Sequence, residues 1–267
     1  MSAASAKPLA FLSPGPGAPA RSPMAPGAEA AGATFEDRDG WAVATSFPDQ
    51  DRWSSTVGYA DLSHLGKIEI QGDVAAITGH TLKLGCALRA QGAWWCPYSA
   101  QRAVVLCAPG DTAALRDHLT ASVADANGLA SVIDVTTAQG AMTILGPLAG
   151  ETFARFTAID LRAQVTPPLA FRPGSVARTG GAILCEAPDR YLMLFGAALG
   201  QYVWTVVADA AGHLGGGPVG VDSLQPLDAP AAHSTDGSPS EVAHELGVEH
   251  PIDAPPTDGA ASERPDA

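Results

Sequence analysis

Alternating polar and apolar residues predict several β-strands in the middle of the chain. Residues 67–70 read Lys-Ile-Glu-Ile, a period of two that is typical of a half-buried strand, and Gly72 ends it. Residues 102–108 form a short apolar run that stops at Pro109, which indicates a second strand. Two hairpins are also predicted, one joined through Gln139-Gly140 and one turned at residues 187–190. Their strands are residues 131–136 with 141–145, and residues 176–185 with 191–195.

Apolar residues at helical spacing predict three helices between these strands. Asp111 is a suitable N-cap for a helix that reaches about residue 126, and Gly146-Pro147 opens a second, because proline fits the first turn. The third helix covers residues 197–211. The predicted buried side chains are Leu115, Leu119 and Val123 in the first helix, Phe153 and Phe156 in the second, and Tyr202, Val203, Val206 and Val207 in the third. Strand-helix-strand units joined by hairpins predict an α+β fold of paired ferredoxin-like subdomains.

Composition divides the 267 residues into three regions. Residues 1–33 are rich in Ala, Pro and Gly, and we interpret them as a disordered leader without the features of a secretory signal. Residues 34–224 form the globular domain. Residues 225–267 hold nine acidic residues and one arginine with few large apolar side chains, so we predict a disordered acidic tail.

The net charge argues against a nucleic-acid partner, and the hydropathy pattern argues against a membrane span. The net charge is −13, and no cluster of Lys and Arg offsets it, so a nucleic acid is not expected to bind. No segment approaches the ~18 consecutive apolar residues of a membrane span.

The four cysteines form no CxxC pair, and Cys107 and Cys185 lie in apolar runs. We therefore predict structural thiols, no metal site and a reducing, cytoplasmic setting.

Several ordered motifs give the chain a family resemblance. Residues 40–41 read Gly-Trp, and residues 57–72 read Val-Gly-Tyr-Ala-Asp-Leu-Ser-His-Leu-Gly-Lys-Ile-Glu-Ile-Gln-Gly. Further motifs are Asp134-Val135-Thr136, Leu145-Gly146-Pro147-Leu148-Ala149 and Pro218-Val219-Gly220-Val221-Asp222-Ser223-Leu224. This order resembles the folate-binding domain of the glycine-cleavage T-protein, or aminomethyltransferase, superfamily. In that family a C-terminal barrel domain follows, whereas here the acidic tail takes its place, so we expect the barrel to be absent.

The motif order resembles one reduced branch of that superfamily more closely, the γ subunit of heterotetrameric sarcosine oxidase. The matching residues are Arg21-Ser22-Pro23-Met24, residues 65–72, residues 132–136, Asp160-Leu161, Phe171-Arg172-Pro173-Gly174 and Tyr202-Val203-Trp204. The resemblance implies a non-catalytic, folate-binding-type subunit that assembles with a flavin-dependent amine oxidase or dehydrogenase in one-carbon metabolism. Two alternatives stay open: an aminomethyltransferase acting on tetrahydrofolate, and a regulatory module whose tail recruits a basic partner.

The chain departs from the T-protein pattern at charged positions. The family's folate-side catalytic aspartate belongs to a Gly-rich hairpin, where this sequence has residues 91–98 without a carboxylate. The arginines that flank the family's Asp-Ser-Leu are replaced by Val221 and Gln225. An anionic folate tail favours such donors. The resemblance therefore implies weak tetrahydrofolate binding at most, and no catalytic residue.

Four residues are candidates for a cofactor site. Asp61, Ser63 and His64 form a polar triplet before a strand, which could line a ligand pocket or simply form an Asx turn. Glu186 lies near the position of the family glutamate that binds the pteridine ring, after a two-residue shift. A carboxylate suits that role because it accepts two N–H bonds. The alternative is a solvated carboxylate in a turn.

An aromatic run provides the candidates for partner binding. Trp94, Trp95 and Tyr98 could anchor a flavoprotein subunit or stack on a flat ligand, because aromatic side chains bury a large area. They could equally fill the core. The outer side of residues 202–207 is a second candidate interface, since removal of the barrel would expose surface that once faced it.

Overall fold

The computed structural model describes residues 17–123 and 128–225. The strands in these residues are β1 Ala20–Arg21, β2 Thr34–Arg38, β3 Trp41–Ser46, β4 Gly58–Asp61, β5 Gly66–Gln71, β6 Leu88–Ala90, β7 Ala93–Ser99, β8 Arg102–Cys107, β9 Ser131–Asp134, β10 Gln139–Leu145, β11 Phe171–Val176, β12 Thr179–Ala187, β13 Arg190–Gly196 and β14 Gly217–Pro218. The helices are α1 Ala25–Ala30, α2 Val74–Thr78, α3 Thr112–Val123, α4 Ala149–Ala154 and α5 Gly200–Gly212.

Strand pairing joins the described strands into three sheets. A small sheet has the order β1-β3-β2. We call the second, with the order β11-β12-β13-β10-β4-β14, the large sheet, and the third, with the order β6-β7-β8-β5-β9, the second sheet. Pairing is antiparallel except for β1 with β3 and β14 with β4. No sheet closes into a barrel within residues 17–123 and 128–225.

Three buried clusters show that the domain has four layers. The first cluster lies between the large sheet and helices α1, α4 and α5, and it contains Phe153, Phe195 and Trp204. The second lies between the two main sheets, where Leu192 and Leu194 of the large sheet meet apolar residues of the second sheet. The third lies between the second sheet and helices α2 and α3. Each main sheet therefore has helices on one face and the other main sheet on its opposite face.

The polar side of β5 differs from the prediction. The period of two is present, because Ile68 and Ile70 belong to the helix-side cluster. The other face was expected to reach solvent, but Lys67 is fully buried and Glu69 is buried. The large sheet covers this face, so the sequence pattern identified the strand correctly and its surroundings wrongly.

The predicted disordered leader is wrong for its last part. Residues 20–30 form β1 and α1, and Met24 is fully buried in the first cluster together with Ala28. Gly27 lies so close to Trp204 that a Cβ atom there would be 2.4 Å from the indole ring. Small residues therefore let α1 approach α5. The same Ala- and Gly-rich composition that predicted a flexible leader allows the two helices to pack closely. Residues 1–16 of the leader lie outside the described residues.

Of the two predicted hairpins, one is present and the other is wrong. Residues 131–134 and 139–145 do form strands β9 and β10, but β9 pairs with β5 and β10 pairs with β13 and β4, so the two strands lie in different main sheets and the chain crosses between them. The three predicted helices are present with altered ends. β12 and β13 pair as predicted, but residues 171–176 form a separate strand that pairs with β12. In α5, Val203 and Val207 are fully buried as predicted, whereas Tyr202 is 44% exposed and donates its hydroxyl to the carbonyl of Ala177. Of the acidic tail, only Gln225 belongs to the described residues.

Candidate functional site

A cleft of about 780 Å³ opens at the end of the β12–β13 hairpin. The hairpin turn and the end of β10 form one side, and the helical turn at residues 50–55 and residues 219–225 form the other. The side chains and backbone that line it belong to Gln50, Asp51, Trp53, Ser54, Gly58, Leu145, Gly146, Glu186, Ala187, Pro188, Asp189, Arg190, Val219, Ser223 and Gln225. Of the four predicted cofactor residues, the cleft includes Glu186 alone.

Glu186 is a buried carboxylate in the wall of this cleft. Its side chain is 5% exposed, and the strand register shifts between Cys185 and Ala187, which places Glu186 in a β-bulge. Its Oε2 accepts hydrogen bonds from Arg190 Nε at 3.2 Å and from Thr143 Oγ1 at 3.4 Å. Burial raises the pKa of the carboxyl, and the Arg190 charge opposes that shift. The prediction of a solvated turn carboxylate is therefore wrong.

Arg190 links the hairpin to the end of the described chain. Its guanidinium is 15% exposed, and NH1 donates to the backbone carbonyl of Gln225 at 2.6 Å while Nε donates to Glu186. One side chain thus holds the carboxylate in place and fixes the segment that forms the opposite rim.

An aromatic side chain forms the wall opposite Glu186. The Trp53 indole lies against Gly217, where a Cβ atom would be 2.4 Å from the ring. The Arg52 guanidinium lies 4.2 Å from the Trp53 ring centroid. Gln50 braces the same turn, since its Oε1 accepts the backbone N–H groups of Phe47 and Gly220. Sequence reasoning missed Trp53 and Gln50, which lie in a short 3₁₀-helical turn that no sequence pattern indicated.

The charge of the cleft favours ligands that donate hydrogen bonds. Three carboxylates line it, those of Asp51, Glu186 and Asp189, against the single guanidinium of Arg190. A carboxylate accepts hydrogen bonds, so a group with two adjacent N–H donors or a cation complements this wall. An anionic group would be repelled.

Asp61, Ser63 and His64 lie at the crossover from β4 to β5, away from the lining of this cleft. The Ser63 backbone N–H donates to Asp61 Oδ1 at 2.9 Å, so the alternative prediction of an Asx turn is confirmed. The Ser63 hydroxyl accepts the backbone N–H of Ala141 at 3.2 Å, which ties the turn to β10. A ligand role for this triplet stays a prediction.

Buried charge perturbs the groups around this turn. Burial lowers the pKa of His64 to about 4, with a further contribution from the Lys67 ammonium. Burial also lowers the pKa of Lys67 to about 8, and Asp61 opposes that change. Burial raises the pKa of Asp61. Ser63 and Lys67 are buried while Asp61 and His64 are partly exposed, so the crossover holds a partly buried electrostatic cluster.

The aromatic run of β7 is divided between two faces. Trp95 is 1% exposed in the cluster beneath α2 and α3, and its Nε1 donates to the Ala90 carbonyl at 3.1 Å. Its predicted role as a partner anchor is therefore wrong. Trp94 and Tyr98 are half-buried against the cluster between the main sheets, and the Tyr98 ring meets Phe171 edge-on at 5.2 Å. Alternation along the strand separates neighbours that sequence reasoning had grouped together.

An arginine from another strand contacts the Asp-Ser-Leu motif. Arg38 in β2 forms a two-point contact with Asp222, with its NH1 at 2.5 Å from Oδ1 and its NH2 at 2.9 Å from Oδ2. The motif's flanking positions carry no arginine, yet its aspartate has a guanidinium partner. This long-range ion pair satisfies the Asp222 carboxylate and links residues 221–223 to the small N-terminal sheet.

Comparison with known proteins identifies the fold. No protein-family model matches the sequence, and no curated protein matches it. A chain of a heterotetrameric sarcosine oxidase from Corynebacterium sp. U-96 superposes with a TM-score of 0.58 and 15% identity, over 78% of this chain and 98% of the other. The aminomethyltransferase T of the glycine cleavage system from Bartonella henselae superposes with a TM-score of 0.61 and 16% identity. This chain has their fold.

The two matches differ in how much of each relative is covered. This chain spans 60% of the length of the aminomethyltransferase chain, and the match covers 76% of this chain. The sarcosine oxidase chain is matched almost from end to end. The predicted α+β class and the likeness to the T-protein folate-binding domain are therefore confirmed at the level of fold.

The described residues contain neither a metal-binding cluster nor a membrane-spanning helix, and their cysteines are unpaired. No group of three or more His, Cys, Asp or Glu in residues 17–123 and 128–225 is arranged to hold a metal ion. None of the helices in that part of the chain is both long and apolar enough to cross a bilayer. Cys86, Cys96, Cys107 and Cys185 are all unpaired thiols, and the last three are buried.

Proposed function

We propose that this chain is a non-catalytic, folate-binding-type subunit, similar to the γ subunit of sarcosine oxidase, that assembles with a flavin-dependent amine oxidase or dehydrogenase in one-carbon metabolism. The observation that carries the proposal is the share of each known chain that this fold matches. The fold matches 98% of a chain from a heterotetrameric oxidase, against 60% of a chain from an aminomethyltransferase. The motif order along the sequence supports the same branch. The four free thiols suit a cytoplasmic location.

The hairpin that would carry a catalytic aspartate supports the non-catalytic role. Trp95 and Cys96 occupy it, and both are buried in apolar surroundings. Burial raises the pKa of the Cys96 thiol, so this group stays protonated and is a poor general base or nucleophile. A proton-transfer role at this position would need a different side chain.

The Glu186 cleft supports weak binding of tetrahydrofolate. Glu186 could accept two N–H groups from a 2-aminopyrimidinone edge, as the family glutamate does. The anionic glutamate tail of the ligand would meet Asp51 and Asp189 without a free arginine beside Asp222, whose carboxylate is held by Arg38. Loss of one charge-assisted contact weakens binding by about ten- to a hundredfold. We expect a Kd no tighter than about 10 μM.

Co-purification from the native host tests the assembly. A tagged copy of the chain is expressed at its natural level, and the proteins retained with it are identified by mass spectrometry. We expect stoichiometric recovery of flavoprotein subunits, with a flavin absorbance spectrum in the purified complex. Recovery of the chain alone, with no flavin, would contradict the proposal.

A second candidate function is an aminomethyltransferase that passes a one-carbon unit to tetrahydrofolate. The observation that favours it is Glu186, a buried carboxylate in a cleft large enough for a bicyclic ring. In this reading Glu186 or Asp61 orients the pteridine, and positioning does most of the catalytic work. Calorimetry with monoglutamyl tetrahydrofolate separates the two functions, because a sub-micromolar Kd would favour the transferase over the accessory subunit.

A further inference from the structure

The two oxygens of the Glu186 carboxylate have different hydrogen-bond partners. Oε2 accepts from Arg190 Nε at 3.2 Å and from Thr143 Oγ1 at 3.4 Å, which uses both lone pairs of that oxygen. Within the described residues no group donates to the other oxygen, Oε1. One oxygen is therefore committed to the protein, and the other keeps its full capacity to accept.

The Arg190 guanidinium is divided in the same way. Nε donates to Glu186, and NH1 donates to the carbonyl of Gln225 at 2.6 Å, but NH2 donates to no residue that the structure describes. A guanidinium is planar and its N–H groups form a rigid fork, so NH2 lies beside the Nε–H group that points at the carboxylate. An unused donor and an unused acceptor therefore lie next to each other.

Both unused atoms are accessible from the cleft. Glu186 and Arg190 line it, and their side chains are 5% and 15% exposed. In the described part of the chain, the side-chain atoms that are buried without a partner are Trp53 Nε1, His80 Nε2 and Gln139 Oε1. Glu186 Oε1 and Arg190 NH2 are not among them, so their bonding capacity faces open space. The small exposed fraction suits approach by the edge of a flat molecule.

An acceptor beside a donor is complementary to the edge of a cyclic amide. In such a ring the N–H group and the carbonyl are locked on the same side, so the N–H can meet an oxygen while the carbonyl meets an N–H. An anion in this place would be repelled by Glu186 and by Asp51 and Asp189, which also line the cleft. A cation would meet the Arg190 guanidinium. The pair therefore favours a neutral edge that carries both groups.

We propose that Arg190 determines the specificity of the Glu186 cleft, because it donates NH2 to a ring carbonyl while Glu186 Oε1 accepts the adjacent ring N–H. The ligand class is a cyclic amide, and in tetrahydrofolate the matching edge is the 4-oxo group with the neighbouring N3–H. A 4-amino group in the same place would direct its N–H groups at those of Arg190. The inference rests on the tetrahydrofolate binding proposed above and names the residue that recognises position 4 of the ring.

Folic acid and aminopterin are matched probes, because they differ at position 4, which is oxo in the first and amino in the second. Both carry the same anionic tail, so its repulsion from Asp51 and Asp189 cancels in the ratio of the two Kd values. Titration of the full-length chain at neutral pH, followed by protein-observed NMR, should give a Kd for folic acid between about 10 μM and 1 mM. Aminopterin should bind about ten- to a hundredfold more weakly, since it loses a charge-assisted bond and gains a repulsive contact.

Arg190→Gln separates recognition of the ligand from support of the fold. The glutamine Nε2 takes the position of the arginine Nε and can still donate to Glu186, whereas no atom replaces NH1 or NH2. A purely structural role for Arg190 would weaken both probes equally and leave their ratio unchanged. We expect the ratio to fall to within about threefold. Arg116→Gln removes the same charge from a surface position in α3, where Arg116 pairs with Asp117, and should preserve the wild-type ratio.

Melting curves establish that both variants are folded, and the wild type alone already tests the inference. Equal affinity of the wild type for the two probes would overturn it and leave folate binding itself standing. A preference for folic acid that persists in Arg190→Gln would assign the recognition to another group and would also overturn it. Absence of saturable binding of either probe up to about 5 mM would overturn this inference together with the tetrahydrofolate proposal, whereas assembly with a flavoprotein is judged separately by co-purification.

Discussion

Lys67 is fully buried, and three backbone carbonyls take the place of water around its ammonium group. Nζ donates to the carbonyls of Ser63 at 2.8 Å, Leu65 at 2.7 Å and Thr136 at 3.3 Å. These carbonyls belong to the β4–β5 crossover and to the segment between β9 and β10, so one side chain joins two loops. A buried ammonium with all three protons bonded can remain charged despite its desolvation.

Burial, together with the charge of Lys67, lowers the pKa of the neighbouring His64. The folded pKa of about 4 lies below the ordinary value of 6.5, so between these pH values the unfolded chain binds more protons than the folded one. Stability contributed by neutral His64 is therefore present above pH 6.5 and is lost as the pH falls towards 4. The loss should reach about 2–3 kcal/mol.

Urea unfolding of the wild type and of His64→Gln at several pH values between 4 and 7 measures this contribution. Glutamine does not titrate, and every other group is common to both proteins, including Asp61 and Glu186 with their raised pKa values. We expect the wild type to lose stability relative to the variant as the pH falls. Parallel curves for the two proteins would show that His64 titrates normally.

Adjacent tryptophans should respond very differently to substitution. Trp95 is 1% exposed, and its replacement by alanine should lower the free energy of unfolding by about 3–5 kcal/mol. Trp94 is half-buried on the other face of β7, so Trp94→Ala should cost roughly 1–2 kcal/mol. Chemical denaturation of both variants gives the comparison, and equal losses would contradict the division of the two side chains between faces.

At the scale of elements, the β12–β13 hairpin organises the Glu186 cleft. Its bulge turns Glu186 into the wall, and its first residue after the turn supplies the guanidinium partner. Thr143 completes the arrangement from β10, the next strand in the sheet. The carboxylate is therefore held by three strands rather than by a flexible loop, which fixes its position for recognition.

A double-mutant cycle measures the coupling between Glu186 and Arg190. Removal of Arg190 alone leaves a buried carboxylate unpaired, and we expect Arg190→Ala to cost about 3–5 kcal/mol. The double variant Glu186→Ala, Arg190→Ala should be less destabilised than the sum of the single variants by about 2–3 kcal/mol. The cycle excludes the separate contribution of the Arg190 bond to Gln225, because that bond is lost in both variants lacking Arg190. Strict additivity would mean that the pair is not coupled.

The elements also show which structural features a sequence pattern can predict. β5 and the β12–β13 hairpin follow from periodicity, because alternation survives whichever layer covers a strand. The environment of Lys67 does not follow, since a polar residue facing a second sheet has the same local pattern as one facing water. Helix α1 was missed because its packing depends on Gly27 and other small residues, which resemble a linker in composition. Glu186 was found through a motif, whereas Arg190 and Trp53 required the tertiary structure.

At the scale of the whole molecule, most of the net negative charge lies in the C-terminal tail, outside the described residues. Residues 226–267 include nine acidic residues and one arginine, which is most of the net charge of −13. The described residues contain 13 Lys and Arg against 18 Asp and Glu, a net charge of −5, and their apolar core supplies the stability. The boundary between the two regions falls at Gln225, whose carbonyl is bonded by Arg190.

Truncation after Gln225 tests whether the tail contributes to folding. The tail offers few apolar side chains to bury, so the melting temperature should stay within about 3 °C of the full chain. A second truncation after Leu224 removes the carbonyl that accepts from Arg190 and should be measurably less stable. Scanning calorimetry compares the three proteins, and a drop of about 10 °C for the chain that ends at Gln225 would contradict the prediction.

The domain should occur as one subunit of a larger assembly, and the structure changes which residues can test this. Trp95 is a core residue, so its substitution would report folding rather than association. Trp94 and Tyr202 reach the surface and remain as candidate anchors, at positions where aromatic side chains contribute most to interfaces. A stable interface needs about 800 Å² from each partner, which the polar tail does not supply.

If the domain is a subunit, its interface is uncovered in the purified chain, so light scattering should show self-association unless a partner is co-expressed. Trp94→Ser and Tyr202→Ser should each weaken the complex by roughly 1–3 kcal/mol, and melting curves of the isolated variants measure their separate loss of folding stability. Thr205→Ser is a suitable control, since Thr205 is an exposed residue of α5 whose hydroxyl bonds to its own helix. A soluble monomer at high concentration, whose binding to co-expressed subunits is indifferent to both aromatic substitutions, would mean that these surfaces are ordinary solvent-facing ones and that any partner docks elsewhere.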